Sequence, residues 1–99
     1  MNRSELLNYL NQYLEIDQFD DYCHNGLQVE GKSQIKKISF GVSVSERLFQ
    51  TSVQSNSDMI IVHHGMFWQK DPHPIQVTGY LKKRLEVLIK NDINLAVTF

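Results

Sequence analysis

The chain has 99 residues, 41% hydrophobic, 10% aromatic and 21% charged, which is the size of one domain or a part of one, since domains most often run about 100–150 residues. Ten Lys and Arg against eleven Asp and Glu give a formal net charge of −1 and a pI near 6.4, excluding a chain built to coat nucleic acid. The lone cysteine, Cys23, excludes an intrachain disulfide framework, no apolar run approaches the roughly 20 residues that span a bilayer, and Met1 to Glu5 lack the apolar region of a secretory signal, so the chain reads as soluble and cytoplasmic.

Residues 3–16 carry Leu6, Leu7, Leu10, Tyr13 and Leu14 at offsets of three and four, one apolar stripe of an amphipathic helix. Asn2 followed by Glu5 has capping-box spacing, with Ser4 as the alternative cap. The polar stretch Asp17-Gln18-Phe19-Asp20-Asp21 ends that helix, and Asn25-Gly26 signals a turn because both residues tolerate positive φ. Leu27-Gln28-Val29-Glu30 alternates like a short strand, closed by Gly31-Lys32-Ser33. From Ile35 to Val44 β-formers return, with Ile38, Phe40 and Val42 on one face at period two.

Ser43 followed by Glu46 again has capping-box spacing, and Leu48, Phe49 and Val53 give the next segment a helical period. Asn56-Ser57-Asp58 breaks it. Met59-Ile60-Ile61-Val62 is then a continuous apolar run, the pattern of a strand covered on both faces. Strand, helix and buried strand in under thirty residues read as a βαβ unit. His63 to Pro74 forms a loop with aromatics and two prolines. Val77, Leu81, Leu85, Leu88 and Ile89 predict a helix over roughly residues 76–91, ended by Asn91-Asp92, and Ile93 to Val97 reads as a further core strand. The fold class is α/β, with a mainly parallel sheet and flanking helices.

Chemistry is expected at Val62-His63-His64-Gly65, the carboxyl end of the buried strand, because open α/β sheets bind ligands beyond those ends. Histidine is the commonest metal-ligating side chain. Neighbours on an extended chain point about 180° apart, so His63 and His64 can serve two ions, one each. They can also share one ion if the backbone turns, which Gly65 permits. Asp71, His73, Asp58 and Asp92 are the nearest candidates for further ligands, none at a recognisable ligand spacing. Cys23-His24 reads as structural or surface, Met66-Phe67-Trp68 as core or interface packing, and Lys82-Lys83-Arg84 as a solvated helix face.

The stretch from Asp21 to Gly31, Asp-Tyr-Cys-His-Asn-Gly-Leu-Gln-Val-Glu-Gly, resembles the N-terminal signature of the GTP cyclohydrolase I type 2 homologues, also called Nif-three-like proteins. Gly41-Val42-Ser43-Val44-Ser45, Ile61 to Trp68 and Asn91 to Leu95 follow in the order of that family. The resemblance implies a dinuclear metal protein with His63 and His64 as ligands to a pair of divalent ions (zinc, iron or manganese). It also implies assembly into a toroidal hexamer and hydrolytic chemistry on a small-molecule substrate. The family continues past this point into a segment carrying another His and a metal-ligating Asp, and then a second α/β half. Residues 1–99 are therefore expected to be a single α/β domain that is the N-terminal portion of a longer protein, inactive alone. The rival expectations are a non-catalytic assembly module, with the His pair and Met66-Phe67-Trp68 at a subunit interface, and an inactive fragment left with an open sheet edge at Ile93–Val97.

Overall fold

The uninterrupted apolar run Met59 to Val62 leaves no polar face to offer to water, so its strand must lie inside a sheet covered on both sides. The computed structural model, which describes residues 1–14, 26–67, 71 and 73–98, has that arrangement. Its elements in chain order are α1 (Arg3–Leu14), β1 (Gly26–Val29), β2 (Ile38–Ser43), α2 (Glu46–Gln54), β3 (Met59–His64), α3 (Gly79–Lys90) and β4 (Asn94–Val97). The strands order as β1-β4-β3-β2, with β2, β3 and β4 parallel and β1 antiparallel to β4. The βαβ unit and the α/β class predicted from the sequence are both present. Among the described residues, no helix is long and apolar enough to cross a membrane.

Alternation along the strands builds two cores. Ile60, Val62, Leu95 and Val97 pack against Phe49 of α2 and Leu88 of α3, with Val29 joining from β1. On the opposite face Met59, Ile61 and Ala96 pack with Ile35 and Leu6, with Leu7 and Leu10 of α1 against them. With a core on each face of the sheet, β4 is buried at every position. The expectation of an open edge at Ile93–Val97 is corrected accordingly: β4 lies between β1 and β3, and the edges are β1 and β2.

Several finer expectations also change. Ile38, Phe40 and Val42 do share a face, but α1 covers only its Ile38 end, leaving Phe40 and Val42 71% and 70% exposed. Ser45, not Ser43, caps α2, its Oγ accepting from the Leu48 N–H at 3.0 Å, while Ser43 still pairs in β2. Asn2 caps α1 by accepting from the Ser4 N–H at 2.8 Å. Tyr13 is exposed and stacks on Tyr9 rather than on the sheet. The third helix starts at Gly79, so Val77 precedes it, and Val87 rather than Ile89 turns inward. Asn56 (φ 58°) and Asp92 (φ 52°) make the left-handed turns that close α2 and α3, where the sequence puts its helix breaks. The expected helix end at residues 15–16, the Asp17–Asp21 loop and Asn25 lie outside the described residues.

One buried polar side chain holds the sheet's amino end together. Asn94 sits in β4 with no exposure. Its Nδ2 donates to the carbonyls of Lys32 at 2.8 Å and Asp58 at 3.0 Å, and its Oδ1 accepts from the Gly31 N–H at 2.7 Å. Every polar position of the amide is used, so burial costs little.

Candidate functional site

β3 ends on His63 and His64, both half-buried. Within the strand, alternation sends Met59 and Ile61 to the α1 face and Ile60 and Val62 to the α2–α3 face. One more step of that pattern would put the two imidazoles on opposite faces. Instead their ring centroids are 4.2 Å apart, edge to face at 65°. The expectation that the neighbours diverge is corrected, although both residues still lie within β3, where Ser43 pairs with His64. β3 finishes at His64, whose carbonyl still accepts from the Val44 N–H at 3.1 Å.

The segment that follows is fixed from β1. Gln28 Oε1 accepts from the Met66 N–H at 2.8 Å and the Phe67 N–H at 3.3 Å, and its Nε2 donates to the Phe67 carbonyl at 3.2 Å. A bulge makes this reach possible. Leu27 pairs with Ala96 and Val29 with Leu95, a register shift that places a β-bulge at Gln28. Bulges re-aim side chains locally, and Met66, which Gln28 holds, shares the core on the α2–α3 face with Val29. Sequence reasoning took Gln28 only as a polar position of an alternating strand; its place in the Asn-Gly-Leu-Gln-Val stretch was the available signal.

Gly65 is required for a reason other than a turn. Its φ is not positive, but a Cβ there would meet Gln28 Oε1 at 2.5 Å, Gln28 Cδ at 2.9 Å and Val97 Cγ2 closer still. Only a residue without a side chain lets β1, β4 and the end of β3 approach this closely.

The other predicted candidates separate. Asp58 precedes the first residue of β3, some five residues or roughly 16 Å of strand from His63. It accepts there from the Lys36 and Lys37 N–H groups at 2.8 and 3.0 Å and pairs with Lys32 Nζ at 3.2 Å. Burial pushes its carboxyl pKa up, but the Lys36 amide, the Lys32 ammonium and the Lys37 amide together hold it below the usual carboxylate value. Asp92 lies before β4, which runs parallel to β3, and so belongs to the same far end. Both are excluded as partners of the histidines. Asp71 and His73 line a cavity of about 470 Å³ with Met66, Pro74, Ile75 and Leu81. Lys82 and Lys83 are exposed and Arg84 is half-buried. Cys23, His24 and Trp68 lie outside the described residues.

Two imidazoles side by side are donors that suit zinc, iron and similar divalent ions. A zinc site takes three or four protein ligands, and among the described residues no three His, Cys, Asp or Glu side chains group around a metal position. The pair fits as two ligands of a site that the described residues do not complete.

A mainly parallel α/β sheet with polar side chains gathered past the carboxyl end of a central strand defines a protein of the class that binds ligands at strand ends. The chain belongs to the Duf34/NIF3 (NGG1p interacting factor 3) family, whose model matches residues 1–98. It is 47% identical over 95 residues to the GTP cyclohydrolase 1 type 2 homolog of Haemophilus influenzae, covering 96% of this chain and 37% of that protein. The Archaeoglobus fulgidus protein of the same name is 37% identical, again over 96% of this chain and 38% of the relative. Among solved structures, the Thermus thermophilus protein TTHA1606 superposes with a TM-score of 0.91 at 42% identity, over 99% of this chain and 40% of that one. The chain thus spans a little over a third of the length of the curated relatives it matches. The resemblance read from the motifs is borne out.

Proposed function

We propose that this chain is the histidine-bearing part of a divalent-metal protein, with His63 and His64 as ligands. The observation that carries the reading is the 4.2 Å approach of two imidazoles at the end of the central parallel strand. The chain directly after the pair is held by Gln28 and packed closely at Gly65.

The remaining ligands would come from chain that the relatives have and these residues do not supply. In a chain of the relatives' full length the reading extends to a two-metal hydrolase of a small-molecule substrate, in a cytoplasmic toroidal homo-oligomer. A pair of divalent ions there would polarise a bound water and neutralise a developing oxyanion. For the 99 residues alone it predicts weak metal binding and no turnover. Equilibrium dialysis against zinc, manganese or iron(II), followed by elemental analysis, tests the proposal. Metal loading that falls in both His63→Ala and His64→Ala supports it; loading unchanged in both overturns it. Light scattering with and without a chelator separates this reading from a purely structural role for the pair, which predicts association insensitive to chelator.

A further inference from the structure

We infer that Gln28 is the positioning residue of the histidine pair, acting on His63 and His64 through the backbone of residues 65–67. The inference rests on the metal-ligand reading above for its consequence, but its geometric content stands apart from it.

Three features of Gln28 converge on one short segment. Both ends of its amide are spent on that segment's backbone, Oε1 on the Met66 and Phe67 N–H groups and Nε2 on the Phe67 carbonyl. The β-bulge between Leu27 and Val29 falls at Gln28, where the ladder with β4 shifts register. Finally, Gly65 lies against the same amide with no room for a Cβ. The residue next to His64 is therefore pressed against the side chain that fixes the two residues after it.

Releasing Gln28 would free the backbone immediately following His64 while leaving the ladder of β3 intact, with Val62 paired to Gly41 and Val97 and His64 to Ser43. The rings would then be free to return to opposite faces, the arrangement an extended chain favours. Groups that orient metal-ligating side chains without touching the metal typically change metal affinity by about 10- to 100-fold when removed.

The test uses the 99-residue chain and two replacements. Gln28→Met keeps the length and packing of the side chain and loses the hydrogen bonds to residues 66 and 67. Gln28→Glu keeps acceptors for the Met66 and Phe67 N–H groups and loses the donor to the Phe67 carbonyl. The first readout needs no metal: the nuclear Overhauser contact between the His63 and His64 rings in isotope-labelled protein, at a temperature where each variant is folded by circular dichroism. The second is Co²⁺ affinity by competition with a coloured chelator. Positioning predicts that Gln28→Met loses the ring contact and weakens Co²⁺ binding about tenfold or more, with Gln28→Glu restoring much of both. A merely structural Gln28 would lower thermal stability and leave the ring contact and the affinity of the folded protein unchanged, which overturns the inference. If the parent chain binds no Co²⁺, the metal reading fails by itself, and the ring contact still decides the role of Gln28.

Discussion

Replacing Gly65 with alanine adds one methyl group at the tightest point of the structure. That methyl would stand 2.5 Å from Gln28 Oε1 and closer still to Val97 Cγ2. Val97 is fully buried in β4 and cannot retreat, so an overpacking cost of about 1–3 kcal/mol applies. Gln28 can swing away, but only by giving up three hydrogen bonds at about 1 kcal/mol each. Whichever gives way, Gly65→Ala should destabilise by about 2–4 kcal/mol, a drop of about 10–20 °C in melting temperature for a chain of this size. A double-mutant cycle isolates the source. In a Gln28→Ala background one of the two obstructing groups is gone and its hydrogen bonds are already lost. The cost of Gly65→Ala should then shrink by about 1–2 kcal/mol. Urea unfolding followed by far-ultraviolet circular dichroism measures all four chains. Strict additivity, or a neutral Gly65→Ala, would refute the contact between Gln28 and Gly65 as described.

Two further outcomes follow from the sheet's amino end. Asn94→Ala leaves the Gly31 N–H and the Lys32 and Asp58 carbonyls without their partner and should cost about 3 kcal/mol, measured by the same unfolding assay. Asn94→Asp, although nearly isosteric, should be no better, because it sets a carboxylate oxygen against two carbonyls; a mild Asn94→Asp would contradict the hydrogen-bond assignment. Asp58 has a folded pKa below its ordinary 3.8, so its ionised form contributes stability that is fully present above that value and lost as pH falls through the folded value. Asp58→Asn should therefore be less stable than the parent near pH 6, and the gap should narrow as pH drops below about 4; a gap independent of pH would show that the carboxylate's charge is not what matters there.

What the sequence made legible was governed by local pattern. The run Met59 to Val62 could only be a strand covered on both faces, and the helix breaks at Asn56 and Asp92 fell on residues that accept a left-handed turn. The family motifs were equally local. What escaped was set by tertiary neighbours. Whether Phe40 and Val42 are covered depends on how far α1 extends over the sheet, which no periodicity in residues 38–42 encodes. Tyr13 and Ile89 fit the helical period yet face outward for the same reason. At the site, the identity of the histidines was legible but their convergence was not. Period-two reasoning sent them apart, and the segment that follows them is held by Gln28, a residue 35 positions earlier than His63 whose place at a β-bulge has no signature in a single sequence. Gly65 was recognised as special, for backbone freedom rather than for the close approach that requires it.

The central claim is that the paired imidazoles of His63 and His64 bind a divalent metal. Titrating Zn²⁺ into the histidine-labelled chain while following the imidazole nitrogen resonances tests it most directly. The account predicts shifts confined to His63 and His64 among the four histidines, saturable and reversed by chelator, and abolished when both are replaced by alanine in a chain whose circular dichroism is unchanged. Zinc binding that shifts His24 or His73 instead, or that persists in the double variant, would contradict it.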